Sequence, residues 1–134
     1  MRRLNPITSA ALALVAAATS VSAHHSIAGV YDSSRQVTVE GEITEFRFVN
    51  PHPIVVLDVV AAGRTESWQL EMDNRFELAG IGITADTLQP GDQVIATGSA
   101  SRTEPHRLYL RRLDRPTDGL RYEQVGSRPR IGRP

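Results

Sequence analysis

The stretch "QVTVEGEITEFRF", residues 36–48, decides the fold. Val37, Val39, Gly41 and Ile43 fall on one parity and alternate with Thr38, Glu40 and Glu42. Such alternation is the mark of a half-buried strand. After Ile43 the pattern inverts. Glu45 stands where an apolar residue is due, and Phe46 and Phe48 take the opposite parity. One extra residue sends every later side chain of a strand to the other face, so a bulge or bend is predicted between Gly41 and Glu45. A long strand bent in its middle suits a small barrel, where it serves both halves.

On the C-terminal side, "VNPHP" breaks the strand with two prolines around His52. "IVVLDVV" reads as a second strand, "AAGRTE" as a hairpin connection and "SWQLEM" as a third strand. "DNRFELAGIG" reads as a short helix, with Asp73 or Asn74 as its cap and Gly80 or Gly82 as its stop. The turn "QPGD" leads to a fourth strand through Val94, Ile95 and Ala96. After the polar loop "SRTEP", "HRLYLRRL" gives a fifth strand. Five strands with one short helix between the third and fourth is the layout of an all-β, OB-fold-like, partly open barrel. The domain is expected over residues 24–118. Residues 119–134, rich in Arg, Pro and Gly, are expected to be a disordered tail.

On the N-terminal side, Met1-Arg2-Arg3 precedes an Ala-, Leu- and Val-rich run that ends in "VSA". A positive start, an apolar centre and small residues at Val21 and Ala23 make residues 1–23 a signal peptide. The run is too Ala-rich and interrupted for a membrane span of about 20 apolar residues. Cleavage after Ala23 gives a periplasmic or secreted chain without a transmembrane segment. The 134-residue chain has no cysteine, so neither a disulfide framework nor a lipidated cysteine is available.

Fifteen basic residues balance fifteen acidic ones. Loss of Arg2 and Arg3 leaves 13 against 15, a net charge of −2. The distribution is uneven: four Arg and eleven acids over residues 24–101, then nine Arg and four acids over residues 102–134. An exported chain meets no intracellular nucleic acid. The basic end therefore points to solvent, to an acidic partner in the cell envelope or to a membrane surface.

The mature chain holds four histidines. His24 and His25 stand at its start, His52 follows the first strand and His106 precedes the fifth. In an OB-like barrel the last two occupy the loops that frame the usual binding face. A terminal His24 offers its amine and its ring nitrogen to one metal ion. The amine's ordinary pKa of about 7.7–8 lets a metal displace its proton near neutrality. A further imidazole from His25, His52 or His106 would make a three-nitrogen set without thiolate, which suits Cu(II) ahead of zinc. The alternative for His52 is a structural role, shaping a rigid turn between prolines.

Other residues carry less. Glu71 and Asp73, at i and i+2, share one side of a strand end, where a solvated end and a helix cap explain them. Ser26 at a chain start has no oxyanion site. Trp68 alternates with Leu70 as a core residue would. Aromatics make up only 5% of the chain, too few for a stacking surface, and no Gly-rich phosphate loop is present. No complete catalytic set is visible, so the reading is a binding or accessory protein and not an enzyme.

Taken in order, "AHHS" after the signal, "VEGEITEF", "NPH", "WQLE" and "LQPGDQV" resemble an exported bacterial family, domain of unknown function 6152. The resemblance runs over about residues 23–99. It rests on His24, His25, Ser26, Asn50, Pro51, His52, Trp68, Glu71, Pro90, Gly91 and Asp92. It implies export and a small β domain, and supplies no reaction. This chain departs from the pattern at "SRTEPH", which makes His106 the least secure member of the set.

Overall fold

The computed structural model describes residues 26–133. A four-residue turn of helix, α1 (Ile27–Val30), leads into β1 (Tyr31–Arg47). Then come β2 (Ile54–Ala61), β3 (Arg64–Glu71), α2 (Arg75–Gly80), β4 (Gln93–Ser101), β5 (Arg107–Arg115), β6 (Leu120–Val125) and β7 (Arg128–Gly132).

The 17-residue β1 is the bent strand that the alternation predicts. Its last part pairs with β2 and its earlier part with β4, both antiparallel. In the β1–β2 ladder Ile43 faces Leu57 and Glu45 faces Val56, so Thr44 is the extra residue. Val39 and Ile43 before the bulge and Phe46 and Phe48 after it then all reach the same core. Gly41 sits where β1 crosses Asp58, whose carbonyl leaves no room for a Cβ.

The order β3-β2-β1-β4-β5 is closed by a parallel pairing of Gln69–Glu71 with Arg107–Tyr109. This is the OB-like barrel. Val55, Leu57, Leu70, Leu108 and Leu110 fill it, each fully buried. Side chains of this size contribute about 1.5–3 kcal/mol each on leaving water. The helix expected between strands three and four is α2. Asn74 caps it, its side chain accepting from the Phe76 amide at 2.7 Å. Leu78 plugs the core, and Gly82, at φ 92°, turns the chain away.

Two expectations are corrected. The sheet has seven strands, not five, and the segment expected as a disordered tail forms β6 and β7. Composition hid a period of two: in "LRYEQV", Leu120, Tyr122 and Gln124 are buried and Arg121 and Val125 are exposed. Gly119 (φ 71°) and Gly126 (φ 61°) supply the turns on either side. The ordered β domain thus continues past residue 118, to Gly132. β5 holds both partners on one edge. Its first residues pair with β3, and from Arg112 onward it pairs with β6.

Candidate functional site

Glu71, the last residue of β3, gathers side chains from β1, from β5 and from the loop between β1 and β2. Tyr31 at the start of β1 donates its hydroxyl to Oε2 at 2.5 Å, and Arg107 at the start of β5 donates to the same oxygen at 3.0 Å. Arg107 also donates to the Tyr31 hydroxyl (2.9 Å) and to Glu104 (2.7 Å). The parallel β3–β5 register places Glu71 beside Tyr109, whose ring packs on that of Tyr31 with centroids 5.7 Å apart. Burial, then the neighbouring Glu71 carboxylate, push the Tyr31 hydroxyl well above its ordinary range.

The same end holds a second polar chain. Tyr122 donates to Gln124 (2.8 Å), and Gln124 donates to Asp73 (2.6 Å). Burial first, then nearby carboxylates or phenols, raise the hydroxyls of Tyr109 and Tyr122 as well. Glu71 and Asp73 therefore do not act as a pair. Glu71 belongs to Tyr31 and Arg107, and Asp73 to Gln124.

His52 lies across Glu71 from Tyr31. Its loop is fixed at both prolines, since Arg75 N–H donates to Pro51 O and Met72 N–H to Pro53 O, each at 2.9 Å. The ring Nδ1 is 3.0 Å from the Met72 carbonyl and 4.0 Å from Glu71 Oε1. A carbonyl can only accept, so Nδ1 carries the hydrogen. Nε2 makes no hydrogen bond among the described residues, and the side chain is 30% exposed.

His106 is placed differently. Its backbone is left-handed (φ 54°), its ring packs on Trp68 with centroids 4.9 Å apart, and its Nε2 lies 3.3 Å from Glu66 Oε2. Glu66 and Glu71 are five residues apart on β3, roughly 16 Å at strand rise, and on opposite faces. The structure therefore does not bring His52 and His106 together. His24 and His25 lie outside the described residues, as does the expected signal segment 1–23. Among the described residues no three His, Cys, Asp or Glu are grouped to hold a metal.

The sequence model of the Family of unknown function (DUF6152) matches residues 11–108, most of the chain. The chain belongs to the DUF6152 family. No curated protein and no solved structure matches it. The DUF6152 match covers His52, Glu71 and Arg107 and stops at Leu108, so β6 and β7 lie beyond it. Sequence reading missed Arg107, which lies inside the DUF6152 match, and Tyr109, Tyr122 and Gln124, which lie beyond it. The available signal was that the chain has only three tyrosines, and all three lie close to Glu71 or Asp73.

Proposed function

We propose that this protein is an exported accessory protein of the cell envelope that binds Cu(II), at a site that His52 shares with the mature amino terminus. The observation that carries this reading is the His52 ring. Its Nδ1–H is spent on the Met72 carbonyl, an arrangement that fixes the tautomer of metal-ligating histidines and leaves the other nitrogen for the ion. Two further points support it. The Pro51–Pro53 loop is anchored at both ends, so the ring is preorganised. Tyr31, five residues after Ser26, also touches Glu71, so the chain enters the barrel on the side where His52 sits. His24 would supply its amine and ring nitrogen, His52 the third nitrogen, and His25 an alternative one. His106 is left out, because its Nε2 is turned to Glu66.

The test uses exported protein without an affinity tag. Mass spectrometry fixes the start, and a Cu(II) titration against a competing chelator follows. The reading requires a start at His24, one tightly held copper, its loss in His52→Ala and its retention in His106→Ala. A different start, or binding indifferent to His52→Ala, overturns it.

A metal-free interaction module is the second reading, and one observation favours it. Phe76 is 82% exposed and Val49 49%, and Arg75 joins their segments by donating to Phe48 O and Pro51 O. Val125, also exposed, is tied to the same end through Gln124 and Asp73. This reading expects Phe76→Ser to abolish cross-linking to an envelope protein while leaving the copper titration unchanged.

A further inference from the structure

Strands β4 to β7 border a cleft of about 710 Å3 that the histidine reading does not use. Its apolar lining includes Ile95, Leu120 and Ile131. Ile95 is partly exposed there, while Ile131 is half-buried and packs against the core. The rest of the lining is dominated by guanidinium groups. Arg112 and Arg121 both bind Asp114, each at 2.6 Å. Arg115 and Arg133 share Asp118, and Arg115 also binds Asp92. Arg130 has no carboxylate within 4.0 Å among the described residues, although Glu123 is its cross-strand neighbour. Asp92, Asp114, Asp118 and Glu123 thus face one more guanidinium than they number.

We propose that this cleft binds a small amphiphilic carboxylate, its head on Arg130 and its apolar chain along Ile95. A guanidinium fork matches a carboxylate with two parallel hydrogen bonds. One surplus charge suits a monoanion and not a polyanion such as a nucleic acid. The volume is that of a small-molecule site, and the apolar lining gives a chain somewhere to leave water.

Octanoate titrated into the mature, metal-free chain by calorimetry tests this directly. One-to-one saturable binding is expected, with acetate (head alone) and octanol (chain alone) each at least about tenfold weaker. Arg130→Gln, an exposed position, is expected to weaken octanoate about tenfold. Ile95→Ser is expected to do the same without changing the response to acetate. Circular dichroism confirms that both variants are folded. Absence of saturable octanoate binding, equal binding of acetate or of inorganic phosphate, or affinity unchanged in both folded variants overturns the proposal.

Discussion

Glu71 accepts two charge-assisted or strongly polarised hydrogen bonds on one oxygen, from Tyr31 and Arg107, and Tyr31 is only 2% exposed. Tyr31→Phe keeps the ring and removes the hydroxyl, which leaves Glu71 and Arg107 each one partner short. Bonds of this kind are worth about 1.5–3 kcal/mol, so urea unfolding is expected to show a loss of about 2 kcal/mol at unchanged m. All three tyrosines have hydroxyls raised above the ordinary value of 10.0, in each case first by burial. Their neutral forms favour the folded state. That contribution is whole below pH 10.0 and is lost as pH rises toward the folded values. Tyrosinate absorbance is therefore expected to appear together with loss of the circular dichroism signal. Absorbance that rises while the fold persists would contradict the burial argument. At this scale the sequence was only half legible. "NPH" marks His52, because turn residues are a local signal, whereas Glu71 reads from its strand as no more than a solvated end. Tyr31 and Arg107 reach Glu71 from 40 and 36 residues away, and no local pattern reports which polar residues meet across a barrel.

Among the elements, β1 was the most legible and β6 the least. The inversion in "QVTVEGEITEFRF" marks a bulge between Gly41 and Glu45 because parity is a strict rule of strands, and the register puts it at Thr44. The helix α2 was also readable from its cap and its glycine stop. "LRYEQV" obeys the same parity rule as β1, yet it sits among Arg, Pro and Gly, and composition overruled period. Removing residues 119–134 tests the point. Leu120 and Tyr122 are 3% and 2% exposed, and burial of each contributes about 1.5–3 kcal/mol. The truncated chain is expected to lose about 3–6 kcal/mol in guanidinium unfolding, a large share of an ordinary domain's 5–15 kcal/mol. A truncated chain of undiminished stability would show the hairpin to be dispensable.

Across the whole molecule, charge pairs collect where β5 meets β6. Asp114 is held below its ordinary value by the hydrogen bond from Arg112 and then by that from Arg121, and Asp118 chiefly by Arg115. A carboxyl depressed in the folded state stabilises it above the unfolded value of 3.8, and this is lost as pH falls through the folded values. Stability is expected to decline below about pH 4. Arg112 and Arg121 are exposed, so the part of the slope that Asp114 contributes is expected to be shallow and to flatten in salt, whereas Arg115, buried beside Asp118, is screened less. Asp114→Asn is expected to be less stable at neutral pH and to lose less on acidification. Equal slopes for the two proteins would remove Asp114 from the account.

The two-sided service of β1 also sets an order of events in time. Its first half has one ladder neighbour, Gln93–Ser101, which lies some sixty residues downstream, and the ring shuts only when Arg107–Tyr109 reaches β3. As the chain emerges amino end first, only the β2–β3 hairpin, with the last residues of β1, can form from neighbours already present. Most contacts that define the barrel join distant residues, which is the condition for slow, late and cooperative folding. Closure of the barrel is therefore expected only after most of the chain has been made.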